Sequence, residues 1–485
     1  MPNPILIVHG WNDTSDSFNR LREQLTESLN TNITDIPLAD WLSREDDISY
    51  DDLADAFEKA WEDKGLPRAK NSVDVVIHST GALVVRHWLV KYCPDPQNPP
   101  IGKFIMLAPA NFGSPLADMG RTIIGRARNG FKKGSFETGA KLLKGLEIAS
   151  PYSWWLAEQD RFGPHAAMYE QGPNGGGIQC SVFVGNEGNM TFIAEFPGSD
   201  GTVRTSTANM NCRRLKAFFK AKPQTLADTE LPFDVEHSTG ETAYRLYEGL
   251  NHGQASQSDH AYKDASAGIR QKMDLFLQDV VSAFQVDGVS AFEQWIADSK
   301  THTKSVADAG NRGTDNERHG YQNTVVRVID SHGKAPDDYA LEIYDEFDFR
   351  KDGGLKQGRT PTTRLIQKHA IDDVHNYGSD PNYRCFHINC KKFRDKVFKK
   401  VKDDLRISIT AEPVLEDKGI GKFGGNKSNY DSGNKVGYYS SDDADIGYIS
   451  IPNHRILDEL FVDHTTFLLD LGIERCQRDD AVRFD

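Results

Sequence analysis

Several things are scarce in this 485-residue chain, and each absence narrows what it can be. No run of 18 or more apolar residues occurs, so a membrane-spanning helix is not expected. The N-terminus, Met1-Pro2-Asn3-Pro4-Ile5-Leu6-Ile7-Val8, has no basic region ahead of its short apolar run. That run reads as a strand and not as a signal sequence, so the expected location is cytoplasmic, or exported without a cleavable leader. An excess of positive charge is also missing: the formal net charge is −14, which disfavours general nucleic-acid binding, where basic surface must neutralise phosphates. The six cysteines (Cys93, Cys180, Cys212, Cys385, Cys390, Cys476) form no tight framework, as in a reducing compartment. Cys385 and Cys390 flank His387 as C-x-H-x-x-C, but no second ligand pair lies nearby, so no metal is assigned.

What is present is an alternation. Ile5–Val8 is an apolar strand followed by an amphipathic run at 17–29, and Val73–Ile77 is a β-branched strand leading into a helix at 82–92. Further strands are expected at 104–107, 179–184 and 243–250, with a helical segment at 263–285. Strands separated by helical stretches predict a mainly parallel sheet covered on both faces. Between residues 118 and 162 the strand pattern stops, and this glycine-rich, helical insertion with Trp154-Trp155 is where a lid over a site belongs. Residues 297–320 are polar and read as a linker. Beyond it, strands are expected at 325–329, 340–344, 405–410, 448–451 and 465–469, interrupted by one cationic helix-like stretch at 391–405. The predicted organisation is an α/β domain over 1–296, a linker over 297–320 and a mainly β domain, sandwich-like, over 321–485. There is no internal repeat and no long low-complexity tract.

The sharpest chemical signal is Val73-Asp74-Val75-Val76-Ile77-His78-Ser79-Thr80-Gly81. A buried strand runs into a tight turn with serine at its tip, and a helix follows at once. Such a turn lifts the hydroxyl off the sheet and points a helix N-terminus at the place where negative charge develops. An ordinary strand–helix turn with a capping serine is the plainer reading. The pattern departs from G-x-S-x-G at its first glycine, which is Ile77, so the turn must open or Ile77 must point away. Upstream, the first strand ends in His9-Gly10-Trp11; the backbone N–H of Trp11 and that of Thr80 are the candidate donors to an oxyanion, with His9 read as structural.

A serine of this kind needs a base and an acid, which follow it in the order Ser, Asp or Glu, His. Asp200, among small residues in Ser199-Asp200-Gly201-Thr202-Val203, is the candidate acid, with Glu195 its rival. His252, in Asn251-His252-Gly253 directly after the last expected strand, is the candidate base, with His237 and His260 as rivals.

Together with Leu107-Ala108-Pro109-Ala110-Asn111-Phe112-Gly113-Ser114-Pro115, these pieces resemble the lipase-type branch of the α/β hydrolases over roughly residues 1–285. The resemblance implies an α/β-hydrolase fold with a lid, a lipase, phospholipase or carboxylesterase activity, and catalytic roles for Ser79, Asp200 and His252. No cofactor is implied, and the expected partner is an ester or lipid substrate. Acyl transfer on the same acyl-enzyme and a non-catalytic hydrolase-like binding scaffold stay open. The basic residues Arg121, Arg126, Arg128, Lys132, Lys133, Lys141 and Lys144 admit either contact with an anionic lipid surface or a solvated helical face. The acidic run 442–445 reads as a solvated loop, and oligomeric state is not legible.

Overall fold

The computed structural model describes residues 2–8, 18–36, 47–115, 117, 140–188, 197–220, 225–310, 320–336, 338–351, 354–412 and 447–474. Trp11, His9, Glu195, Cys476, residues 118–139 of the insertion with five of its basic side chains, and the run 442–445 lie outside these. The chain divides into two compact units. One comprises Met1–Cys212, His237–Tyr321 and Asp463–Thr466; the other comprises Arg213–Glu236, Gln322–Val462 and Phe467–Asp485.

The first unit is built on strands β1 (Ile5–Val8), β2 (Ile33–Ile36), β3 (Val73–His78), β4 (Ile101–Leu107), β5 (Gln179–Gly185) and β9 (Ala243–Tyr247). They form one sheet in the order β2-β1-β3-β4-β5-β9, and every neighbouring pair is parallel. Both faces are apolar because both are covered. Leu6, Val8, Val75, Ile77, Phe104 and Met106 enter one core, while Ile5, Ile7, Val76, Ile105 and Leu107 enter the core on the opposite face. The alternation resolves the crowding raised by Ile77: its side chain packs with Val75 and Val73, two and four residues back, away from the face that receives His78.

The helix Gly81–Tyr92 follows β3 with almost no polar face, and Arg86 within it is fully buried. The described part of the insertion contains the helices Ala140–Leu146 and Pro151–Asp160. The second of these packs into the protein on one side, where Trp154 is buried and Asp160 is paired with Arg86, and leaves Trp155 exposed on the other.

The expected linker is different from its reading. Residues 297–310 are the second half of a helix, Val289–Gly310. Polar composition conceals the role of its second half, where side chains hydrogen-bond to a strand and only Val306 and Ala307 add apolar burial. Thr303 Oγ1 donates to the Tyr244 carbonyl (2.8 Å) and accepts from Leu246 N–H (3.2 Å), and His302 Nε2 lies 3.0 Å from the Leu246 carbonyl. The strand is β9, the edge of the parallel sheet, and the helix satisfies backbone groups that an open edge leaves bare. Likewise the helix expected over 263–285 is two helices, Asp259–Asp264 and Ala267–Gln285.

The second unit is mainly β. Strands β12 (Ile371–Asn376), β13 (Tyr383–Asn389), β10 (Tyr321–Asp330), β16 (Thr465–Ile473), β6 (Cys212–Phe219) and β8 (Val235–His237) form one sheet in that order. Strands β11 (Asp338–Asp345), β14 (Leu405–Glu412), β15 (Tyr448–Ile451) and β7 (Glu230–Pro232) form the other. One apolar core joins the two sheets, with Leu215, Val326, Ile388 and Leu469 from the first and Ile407, Ile409 and Ile449 from the second. The cationic stretch expected as one helix over 391–405 is three short turns, Cys390–Lys392, Phe393–Val397 and Phe398–Lys400, and Leu405 already belongs to β14. Cys385 donates its thiol hydrogen to Asn323 Oδ1. Among the described residues no cluster of three or more His, Cys, Asp or Glu is placed to hold a metal ion, and no helix is long and apolar enough to cross a membrane.

Candidate active site

Ser79 follows the last residue of β3 with φ +57°, a left-handed conformation uncommon for any residue but glycine. Such a residue costs about 1–3 kcal/mol and persists only where its surroundings fix it. Here Ser79 N–H donates to the Leu107 carbonyl at the end of β4 (3.1 Å), and its own carbonyl accepts from Ala110 N–H (3.3 Å). The Leu107–Pro115 segment is thus part of the turn, and Asn111 secures it by donating Nδ2 to the Ala208 carbonyl (2.8 Å). Thr80 stands at the start of the helix Gly81–Tyr92 without a side-chain cap.

Three side chains from distant parts of the chain meet here. His252 Nε2 lies 3.1 Å from Ser79 Oγ, and His252 Nδ1 lies 2.9 Å from Asp200 Oδ2. Asp200 is fully buried, whereas the His252 side chain keeps 16% exposure, so the imidazole stands between the interior and solvent. The second carboxylate oxygen of Asp200 is also occupied: Oδ1 accepts from Thr202 N–H (3.0 Å) and Val203 N–H (2.7 Å), closing a tight turn. The Asp200 carbonyl accepts His252 N–H (2.9 Å). Backbone and side chain of one aspartate therefore fix both ends of the histidine.

Sequence chemistry sets this loop. Asn251 and Gln254 form a reciprocal capping box around the short helix His252–Ala255. Gly185, at the end of β5, permits the approach: a Cβ there would stand 1.9 Å from the Leu250 carbonyl. The rival histidines stand elsewhere. His237 ends β8, and His260 is exposed and paired with Asp264 four residues on.

Three residues beyond the sequence reading shape the site. His78 is buried; its ring packs against that of His252 (centroids 4.7 Å apart), and its Nε2 lies 3.3 Å from the His252 carbonyl. A histidine preceding the serine on the face opposite Ile77 was the available signal. Behind the turn, Arg86 makes a two-pronged pair with Asp160, Nε to Oδ2 at 2.7 Å and Nη2 to Oδ1 at 2.8 Å, with both side chains fully buried. Its Nη1 donates to the Asn111 carbonyl (3.0 Å), tying the ion pair to the segment that holds Ser79. Burial opposes the guanidinium charge, but the Asp160 carboxylate outweighs it and holds the group above its ordinary range. An arginine inside an otherwise apolar helix was the signal, but nothing local in the sequence identified Asp160 as its partner.

No protein-family model matches the chain, and no curated protein matches it. Solved structures do. Phospholipase PlaB from Legionella pneumophila, in complex with thio-NAD, superposes with a TM-score of 0.72 at 19% identity, covering 99% of this chain and 96% of that one. A second structure of the same phospholipase gives 0.71 at 18% identity with the same coverage. The likeness spans both units, and it shows that this chain has the α/β-hydrolase fold with an added β domain.

Proposed function

We propose, on the premise of that fold, that the chain is a serine hydrolase of carboxylic esters, with phospholipids or other lipid esters as its substrates and Ser79 as the residue that is acylated. The observation that carries the reading is the position of the His252 imidazole, bonded to the Ser79 hydroxyl on one side and to a buried carboxylate on the other. The likeness to a phospholipase over the full length of both chains supports the lipid class of substrate.

The chemistry then runs on protein groups alone. His252 Nε2 takes the Ser79 proton as Oγ attacks the ester carbonyl, and Asp200 holds the tautomer and stabilises the imidazolium. The oxyanion is met by main-chain N–H groups, assigned to Thr80 and Trp11; one such donor is worth about 10²–10³ in rate. His252 passes its proton to the departing alcohol, leaving the acyl group on Ser79. Water enters, gives a proton to His252, and attacks the acyl carbonyl; the acid leaves and Ser79 recovers its proton.

The test is hydrolysis of a panel of phospholipids, lysophospholipids, acylglycerols and short acyl esters by wild type and Ser79→Ala. Ester cleavage lost in the variant is expected. Cleavage undiminished in a folded Ser79→Ala protein rejects the assignment. Including a competing alcohol reads transfer against hydrolysis from the products.

A further inference from the structure

The β unit concentrates positive charge in a chain that is acidic as a whole. Residues 346–370 and 390–406 hold fourteen lysines and arginines against six aspartates and glutamates, whereas the net charge of the chain is −14. The two segments lie side by side. Leu365 and Ile366 of the helix Thr362–His369 share a core with Phe393 and Val397 of the cationic turns, and Arg359 Nη2 donates to the Lys400 carbonyl (3.2 Å). His369 registers the charge around it. Loss of water, and then the charges of Lys368, Lys400, Lys396 and Lys392, hold its imidazole below the ordinary range.

The acids within these segments neutralise only part of it. Glu346 Oε2 accepts from Arg406 (2.8 Å), Asp395 Oδ2 accepts from Lys391 (2.5 Å), and Asp348 is buried against Arg359, while Asp403 and Asp404 are exposed. Arg364, Lys368, Lys396, Lys400 and Lys402 are all exposed and make no ion pair among the described residues.

Beside this charge the chain exposes hydrocarbon. Phe347, Phe349 and Leu355 are 41%, 36% and 53% exposed, in a hairpin where Phe349 pairs with Leu355. Buried carboxylates hold the base of that hairpin. Asp345 accepts from Phe347 N–H (2.9 Å) and Lys402 N–H (2.8 Å), and Asp348 accepts from Thr362 N–H (2.5 Å) and from Arg359. Asp348 is thus turned inward between two phenylalanines that are turned outward. Cations collar the tip: Lys356 Nζ stands 3.3 Å from the centre of the Phe347 ring, and the Arg359 guanidinium stands 4.8 Å from it.

From this arrangement we infer that the hairpin and the lysines beside it dock the protein on an anionic lipid surface. Phe347, Phe349 and Leu355 enter at the level of the head groups, and the cations around them meet lipid phosphate. A soluble polyanion would use the lysines but leave the rings bare. A second copy of the chain could cover the rings, but a self-complementary contact sets the same cations against each other. Lipid satisfies both features at once. The acidic remainder of the chain is repelled by such a surface, so this face is the one that approaches it. Docking goes beyond the ester reading and does not require it.

The test is sedimentation of the full chain with vesicles of diether phosphatidylcholine, alone or mixed in equal parts with diether phosphatidylglycerol, which offer no ester to cleave. Binding to the mixed vesicles is expected to be at least about tenfold tighter than to the neutral ones and to weaken with added salt. Each cation near such a surface is worth about fivefold, so Lys368→Glu with Lys400→Glu is expected to weaken binding at least about twentyfold. Phe347→Ser with Leu355→Ser is expected to weaken it at least about fivefold. All four positions are at the surface, and both variants are expected to keep the wild-type melting temperature. A diazirine in the hydrocarbon of the diether lipid reports independently of any variant, and its cross-links are expected within residues 347–356. No vesicle binding, equal binding to neutral and anionic vesicles, or cross-links confined to the unit with Ser79 overturns the docking surface. Weakening by the lysine changes with wild-type binding in Phe347→Ser, Leu355→Ser overturns it in favour of a soluble polyanion.

Discussion

The two units handle buried polar groups in opposite ways. In the unit with the parallel sheet they are aimed at one another and at Ser79: Asp200 is sealed inside and spends one oxygen on backbone and the other on His252, which reaches outward to Ser79. Behind them Arg86 and Asp160 form a closed pair with no exposed surface. In the β unit, Gln322 and Thr363 give their hydrogen bonds to the surrounding backbone and side chains and none to a guest. A site that performs chemistry has to present polar atoms to its guest.

The largest effect that sharpens this contrast is on turnover. Ser79→Ala is expected to lower kcat by at least about 10⁴-fold without loss of thermal stability, measured with the best ester from the panel. Activity retained within tenfold would place the chemistry elsewhere. Asp200→Asn keeps the shape of the side chain but offers His252 the wrong partner, and a drop of about 10³–10⁴ in kcat with little change in KM is expected.

Next come effects read on stability. Removing one partner of the closed pair, as in Arg86→Met, strands a buried charge and is expected to cost about 3–5 kcal/mol in denaturant unfolding. Replacing both, as in Arg86→Met with Asp160→Leu, is expected to recover much of that loss, because the two charges no longer need desolvation. A double variant as unstable as the single one would show that the pair does more than neutralise itself. The smallest effect is at the sheet edge. Thr303→Val removes one donor and one acceptor from β9 and is expected to cost about 1–2 kcal/mol, read as a shift in the unfolding midpoint.

How legible each region was in the sequence follows from the same contrast. Ser79 directly follows a strand, and Asp200 and His252 lie in short turns, all places where local chemistry is distinctive: a β-branched strand before a small-residue turn, an aspartate among glycine and serine, a histidine after asparagine. Motifs that are local in sequence can be read locally. Arg86 and Asp160 are 74 residues apart, and their meeting depends on two helices packing, which no short pattern encodes. The helix over 289–310 was obscured because its polar side chains serve a strand edge.

The β unit was hardest to read for a related reason. Strand β12 is an edge strand, Ile371-Asp372-Asp373-Val374-His375-Asn376, with most of its residues exposed, so the alternation that betrays a half-buried strand is missing. Strand β6 hides its pattern behind Arg213 and Arg214, both buried. Strands β10, β11, β14, β15 and β16 supply the sandwich core and were legible from their β-branched and aromatic runs.

The central claim is that Ser79 is a nucleophile made reactive by His252. Its most direct test is labelling with a fluorophosphonate, followed by intact mass and peptide mapping, in wild type and in His252→Ala. A single phosphonyl adduct on Ser79 in wild type, slowed by orders of magnitude in His252→Ala, is the expected result. An adduct on another residue, or equal labelling rates in the two proteins, would contradict it.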